Sequence, residues 1–324
     1  MSKEKKHYLP RLEKLRVSLT QACNLKCEYC HHEGQITPRK EVLSFDELSG
    51  LMDISCEYGV DQIKYSGGEP LLYKSLSKLI RLNKKNDIAH VSITTNGILL
   101  EDKVDELIAS GVDEINITLD TLNPSTYTKL CRGSEQDLAK VLRGIKRIYE
   151  SGYENFSINS VMTSRNLVDI PSLEEFCKSL GKKLRLITFV EISGTPESKN
   201  LAKSSNVNDL ILQLREAADK QSGRETARES LTKDGGQLEI VHSCTDCDIC
   251  GRNYPLRLTT DGKLKPCLSY EIAEIDVITP FRQKKLDEVR FRFEQAIALK
   301  KYGLVKYFFQ PKRHEHRSLL SESE

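Results

Sequence analysis

The chain has 324 residues, 38% hydrophobic and 30% charged, and its 49 Lys and Arg nearly balance 47 Asp and Glu to leave a net charge of +2. That composition fits a globular protein large enough for one α/β barrel or two ordinary domains, and near-neutrality removes any bulk attraction to a polyanion, so no nucleic-acid partner is expected. No apolar run reaches the roughly 18 residues of a membrane span, and the opening MSKEKKHYLPRLEK has no apolar centre for a secretory signal, so the expected location is cytoplasmic, without a membrane partner.

An N-terminal tail (1–14) precedes a core expected at 15–192. Its strand candidates are LRVSLT (15–20), QIKYSG (62–67), HVSITTN (90–96), EINITLD (114–120), NFSINSVM (155–162) and LRLITFVE (184–191), with helical stretches between them. Ser44 and Glu47 read as a capping box, followed by Leu48, Leu51 and Met52 on one helix face. Residues 134–150 repeat Leu138, Val141, Leu142 and Ile145 at helical spacing. Six βα repeats predict parallel strands with crossover helices, in an open doubly wound sheet or a partial barrel. Parallel strands are usually apolar on both faces, but these alternate. Arg16, Ser18 and Thr20 oppose Val17 and Leu19; Ser92, Thr94 and Asn96 oppose Val91 and Ile93; Asn116, Thr118 and Asp120 oppose Ile115, Ile117 and Leu119. One face meets the helices and the other lines a wet cavity. The expected fold class is therefore α/β, a partial (β/α)6 TIM-type barrel with a polar ligand inside.

Beyond residue 192 the pattern changes. A linker with a helical segment is expected at 193–242: a helix at about 207–220, then QSGRETARESLTKDGG as a flexible connection. A small C-terminal region at 243–300 follows. In it PLRLTTDGKLKPCL reads as a hairpin turning at Asp261-Gly262, with a helix at about 284–300. A basic tail (301–324) closes the chain.

Ten cysteines in a cytosolic chain do not suggest a disulfide framework. Cys56 and Cys177 fall on apolar helix faces and read as core; Cys131 carries no assignment. Cys23, Cys27 and Cys30 crowd into CNLKCEYC. A structural zinc site takes four ligands, yet the next cysteine is Cys56, and His31 and His32 follow Cys30 too directly for an easy tetrahedron. Three thiolates instead suit an iron–sulfur cluster with one iron left open.

This Cys-x3-Cys-x2-Cys run, directly after a first strand, resembles the signature of radical S-adenosylmethionine (SAM) enzymes. Tyr29 fills the aromatic position before the third cysteine. Gly67-Gly68-Glu69-Pro70 matches the family's GGEP motif after the second strand. Thr94-Thr95-Asn96-Gly97 ends the third strand, and Asn116 to Asp120 ends the fourth. Glycines let a backbone approach a ligand, and a carbonyl or carboxylate can meet the SAM ammonium. The resemblance implies a 4Fe–4S cluster on Cys23, Cys27 and Cys30, with SAM at its open iron. It implies cofactor contacts from Tyr29, Gly67, Gly68, Glu69, Pro70, Thr94, Asn96 and Thr118. It also implies a 5′-deoxyadenosyl radical acting on a small-molecule substrate, and an electron donor such as flavodoxin or ferredoxin.

Cys244, Cys247 and Cys250 form a second group, and Cys267 follows. As a bare pattern they admit zinc. The stretch CGRNYPLRLTTDGKLKPCL is similar to the C-terminal region of the GTP 3′,8-cyclases of molybdenum-cofactor biosynthesis, and CHHEGQ to their archaeal branch. This likeness implies a second, auxiliary 4Fe–4S cluster on those cysteines, in a SPASM-like region. It implies substrate contacts from Arg16, Lys64, Arg252 and Arg257, and GTP or another nucleotide as substrate. There are departures. Lys64 stands where arginine is usual, and Ser157 aligns with a triphosphate-contacting lysine. Extra residues separate Arg252 from Arg257, and the chain ends SLLSESE rather than Gly-Gly. The family uses three auxiliary cysteines; four ligands here would close that cluster, whereas three would leave an iron for substrate. The expected function is a GTP-cyclase-like radical SAM lyase. Its rival is a relative acting on another nucleoside, a sugar or a peptide. A zinc-stabilised binding protein is the non-enzymatic alternative.

Overall fold

The computed structural model describes residues 11–35, 42–190, 201, 205–221, 228–242, 255–268 and 274–301. The first part alternates strands with helices: β1 (Lys14–Ser18), α1 (Phe45–Cys56), β2 (Gln62–Ser66), α2 (Leu76–Lys85), β3 (His90–Thr95), α3 (Leu100–Ala109), β4 (Glu114–Thr118), α4 (Pro124–Leu130), α5 (Glu135–Glu150), β5 (Phe156–Met162), α6 (Ile170–Ser179) and β6 (Leu184–Thr188). Then come α7 (Ser205–Glu216), β7 (Lys220–Gln221), β8 (Arg228–Lys233), β9 (Gly236–Val241), β10 (Leu256–Leu258), β11 (Lys263–Lys265), β12 (Ile275–Asp276), α8 (Ile278–Arg282) and α9 (Leu286–Lys301). The six expected strands are all present, several shorter at their C-terminal ends. The Ser44 side chain accepts from Glu47 N while the Glu47 side chain caps Ser44 N in return, the reciprocal box that fixes the start of α1. Ser134 and Asp137 do the same for α5.

All strands join one 12-stranded sheet in the order β12-β11-β10-β1-β2-β3-β4-β5-β6-β9-β8-β7. β1 to β6 pair in parallel, as right-handed crossovers through helices require. Two more strands prolong that run: β10 lies parallel to β1, and β9 parallel to β6. The hairpins β10–β11 and β8–β9 then finish the two edges antiparallel.

The sheet is curled with its polar face inward. On a flat sheet, at about 4.8 Å per strand, β2 and β6 would stand about 19 Å apart and β2 and β8 about 29 Å. Yet the Lys64 ammonium on β2 feels the guanidiniums of Arg185 on β6 and Arg228 on β8. The other face is apolar. Val17, Ile63, Val91, Ile93, Ile115 and Ile117 are each at most 1% exposed beneath the helices. Alternation along the strands thus yields a partial barrel with a dry exterior seam and a polar interior.

Two stretches depart from the sequence reading. QSGRETARESLTKDGG, read as a connection, contains β8, which turns into β9 through Asp234 and Gly235 at φ of 49° and 80°. Both positive angles suit a tight hairpin turn. RESLTK hides this strand because its two buried positions are Glu229 and Leu231, so a charge stands where alternation would show an apolar residue. Cys56 is half-buried at the end of α1, whereas Cys177 is buried. The hairpin at Asp261-Gly262 forms as expected; Gly262 has φ of 76°, and a Cβ there would stand 2.5 Å from Ile278 Cβ.

Candidate active site

The cysteine loop leaves β1 and lies against the segment that leaves β2. Gly68 N donates to Thr20 O at 2.6 Å and Glu69 N to Ala22 O at 2.8 Å. A Cβ on Gly67 would sit 2.4 Å from Thr20 O, and one on Gly68 2.2 Å from Ala22 O. The two glycines therefore make room for the chain leading into Cys23. Glu69 is fully buried, and its carboxylate accepts from Leu71 N (2.9 Å), Thr95 Oγ1 (2.7 Å) and Asn96 N (2.8 Å). Burial pushes it up to about 7 despite those bonds. Its side chain thus joins the exits of β2 and β3. Pro70, also buried, starts the short turn that follows.

The sulfurs at the two ends of the loop receive N–H groups. Cys23 Sγ accepts from Leu25 N at 3.4 Å and from Asn96 Nδ2 at 3.7 Å; Cys30 Sγ accepts from His32 N at 3.4 Å. Such donors stabilise ligand thiolates and tune a cluster. As free thiols they resist ionisation: burial pushes Cys30 up to about 12 and raises Cys23. A cluster held here would take them as thiolates, so their protons would leave on its assembly. Among the described residues no three His, Cys, Asp or Glu side chains converge on a single-ion site. A four-iron cluster spreads its thiolates over separate irons, so the wider spacing, the exposed Cys23 and the half-buried Cys27 and Cys30 fit that group better than zinc. Tyr29 turns its hydroxyl to Asp120, whose carboxyl burial pushes up to about 6. Thr94 and Thr118 stand half-buried near the exits of β3 and β4.

Three cations share one level of the concave face. The strand register puts Arg257 on β10 beside Arg16 on β1, and Arg16 beside Lys64 on β2. Glu33, just past the cysteine loop, reaches between the guanidiniums: Arg16 Nη2 donates to its Oε1 and Arg257 Nη1 to its Oε2. Burial raises the Glu33 carboxyl, but Arg16 and then Arg257 outweigh it and hold the group down at about 2. Its backbone sits at φ of 55°, a left-handed conformation that glutamate seldom adopts. Arg16 Nε donates to Ser66 Oγ at 3.0 Å. Burial, then repulsion from Arg16, lowers Lys64 to about 7.

The opposite wall neutralises itself. Arg185 on β6 pairs with Glu239 on β9 and with Asn116, and lies 3.6 Å from Glu114. Arg228 adds a 3.1 Å bond to Glu239. Ser157 donates to Asn116 Oδ1 at 3.3 Å. Arg252, Cys244, Cys247 and Cys250 lie outside the described residues. Cys267 is buried just past β11. Its hairpin is stitched to the segment after the cysteine loop: Lys265 Nζ donates to Gly34 O at 2.6 Å, and Thr260 N to Gln35 Oε1 at 3.0 Å.

Sequence reasoning brought Arg16, Lys64 and Arg257 together and missed Glu33, Arg185 and Glu239. Arg185 carried a readable signal, a charge at period two between Leu184 and Leu186 in a buried strand. Glu33 carried none, because a loop has no periodicity.

Comparison with known proteins agrees with this geometry. The profile of the Radical SAM superfamily matches residues 17–177. A "Probable GTP 3′,8-cyclase" of Methanococcus vannielii is 35% identical over 292 residues, 88% of this chain and 94% of its own. One of Methanocaldococcus jannaschii is 35% identical over 274 residues, 84% of this chain and 90% of its own. Among solved structures, Streptococcus suis SuiB bound to S-adenosylmethionine superposes at a TM-score of 0.64 with 18% identity, over 85% of this chain but only 65% of SuiB. Native anSMEcpe with bound AdoMet gives 0.61 with 15% identity, over 92% of this chain and 84% of that one. These two share the fold. No helix among the described residues is long and apolar enough to cross a membrane. The chain belongs to the radical SAM superfamily, is homologous to these archaeal proteins, and is a radical SAM enzyme using a 4Fe–4S cluster and S-adenosylmethionine.

Proposed function

We propose that Cys23, Cys27 and Cys30 hold the 4Fe–4S cluster and that the enzyme converts an anionic nucleotide, GTP, by a 3′,8-cyclase-like reaction of molybdenum-cofactor biosynthesis. When bound, cluster and SAM together supply the 5′-deoxyadenosyl radical that takes a hydrogen atom from the substrate. The observation that carries this reading is the row Arg257, Arg16 and Lys64, on three adjacent strands facing the cavity beside the cysteine loop. A phosphate placed there meets the Lys64 ammonium directly, with Arg16 and Arg257 beside it still shared with the Glu33 carboxylate. The names of the archaeal relatives support GTP as the nucleotide. The backbone around Gly67 to Pro70, Tyr29, Thr94, Asn96 and Thr118 would position SAM, and Arg252 would extend the substrate site. Cys244, Cys247, Cys250 and Cys267 would carry an auxiliary 4Fe–4S cluster close to Arg257. A flavodoxin or ferredoxin in the cytoplasm would deliver the electron.

A second reading, a relative acting on a less charged nucleoside, sugar or peptide, is favoured by one observation. On the described part of the wall opposite the cation row, Arg185 is already engaged by Glu239, Asn116 and Glu114, and Ser157 stands where the resembled family has a lysine. Anaerobically reconstituted, reduced enzyme is incubated with SAM, with and without GTP. Faster 5′-deoxyadenosine release together with a cyclised nucleotide supports the first reading; basal release unchanged by GTP supports the second. Iron analysis tests the cluster count, two 4Fe–4S clusters requiring about eight irons per chain.

A further inference from the structure

Behind the cysteine loop, at the exit of β4, lies a buried carboxylate with no part in the chemistry above. Asp120 is 1% exposed. Its Oδ1 accepts from Val161 N at 2.8 Å, which anchors it to β5. Its Oδ2 accepts from two side chains, the Tyr29 hydroxyl and the Cys131 thiol, the latter at 3.7 Å. Its own carbonyl accepts from Asn166 Nδ2 at 2.9 Å. Tyr29 directly precedes Cys30. Cys131 stands on the other side, with its thiol beside that of Cys27. The backbone repeats the connection: Lys26 N donates to Cys131 O at 3.3 Å, and Glu28 N to Leu130 O at 2.9 Å. One oxygen of one buried carboxylate is thus coupled to the side chain before the third cysteine and to the thiol beside the second.

We propose that Asp120 is a positioning residue for the cysteine loop and that its charge, together with its hold on the Cys131 thiol, keeps the reduction potential of the cluster low. This rests on the reading that Cys23, Cys27 and Cys30 carry that cluster. The physical argument has two parts with the same sign. A fixed negative charge nearby in a water-poor site makes the added electron less favourable. A thiol that donates to Asp120 is also withheld from the Cys27 thiolate, and hydrogen bonds to cluster sulfurs help set the potential by stabilising the more negative, reduced state. A lower potential makes the reduced cluster a stronger donor to the SAM sulfonium. Geometry contributes as well, since Tyr29 tied to β4 and β5 fixes the approach of Cys30.

The test compares wild type, Asp120→Asn and Tyr29→Phe, each reconstituted anaerobically at pH 8 without SAM or substrate. Iron and sulfide content are measured first, then the cluster is titrated potentiometrically with electron paramagnetic resonance detection. Asp120→Asn keeps the shape and removes the charge, so its midpoint is expected to move positive. At a potential where about a tenth of the wild-type cluster is reduced, the reduced fraction is expected to rise about threefold or more. Wild-type iron content with an unchanged midpoint overturns the proposal. Loss of iron from Asp120→Asn with unaltered circular dichroism and melting temperature supports the positioning role. If that variant unfolds, Tyr29→Phe decides, because it removes a single hydroxyl: faster cluster loss in air supports the proposal, and wild-type lifetime and midpoint overturn it. A wild-type protein that assembles no 4Fe–4S cluster on its first three cysteines overturns the underlying reading instead.

Discussion

Replacing Glu33 with Gln removes one charge and almost no volume. In the folded protein the carboxyl titrates at about 2 against an ordinary 4.5. At about 1.4 kcal/mol per pKa unit, its ionised form is favoured by about 3 kcal/mol. The group is 6% exposed, so solvent screening takes little from that figure. Breaking a buried pair from one side commonly costs about 3–5 kcal/mol, because the partner charge stays behind; here two guanidiniums are left facing each other. Burial itself lowers Arg16, and Glu33 only partly offsets it, so about 3 kcal/mol is the loss on removing the carboxylate alone, not the net worth of the trio. Urea unfolding at pH 7 is expected to show Glu33→Gln less stable by about 3 kcal/mol. Because the folded pKa is depressed, this stability is fully present above about 4.5 and disappears as pH falls toward about 2. The gap between wild type and variant therefore stays constant from pH 7 to 5.5 and narrows below 4.5. A gap under about 1 kcal/mol at pH 7, or one that widens in acid, refutes the reasoning.

Three other outcomes are expected. Cys23→Ala, Cys27→Ala and Cys30→Ala each abolish 5′-deoxyadenosine formation, read by chromatography; full activity in any one of them removes that cysteine from the cluster. Lys64 titrates at about 7, and an anion favours its protonated form, so nucleotide affinity measured by calorimetry is expected to fall as pH rises from 6 to 8.5. Lys64→Met flattens that profile. Gly68→Ala places a methyl 2.2 Å from Ala22 O, a backbone clash that costs at least about 2 kcal/mol and shows as lowered thermal stability and iron content; a wild-type melting curve contradicts the close approach.

The sequence made the frame legible where periodicity was strong. Six alternating strands, the capping box at Ser44 and the turn at Asp261-Gly262 follow from local chemistry that tertiary contacts reinforce. β9 and β10 were harder to place, because what makes them part of the barrel is pairing with β6 and β1 across long separations, which no local pattern records. In the candidate site, strand residues such as Arg16 and Lys64 could be placed by alternation. Glu33 could not, since its position depends on a left-handed turn after the third cysteine and on two arginines distant in sequence. The motif Gly67-Gly68 is legible as a pattern, but the close approach it permits to residues 20–22 depends on tertiary packing that no local signal records.

The parallel pairing of β1 with β10 also sets a clock. Leu15 aligns with Leu256, so one edge of the first strand waits while the intervening chain is made, about 10–50 s at ordinary ribosomal rates. During that interval β1 can pair with β2, but its other edge carries unpaired backbone groups, a hazard for association with a second nascent chain. The same delay leaves the cysteine loop without the lid that Arg257, Thr260 and Lys265 later provide through Glu33, Gln35 and Gly34. The last hairpin to be made is thus the one that completes the packing around the segment after the cysteine loop.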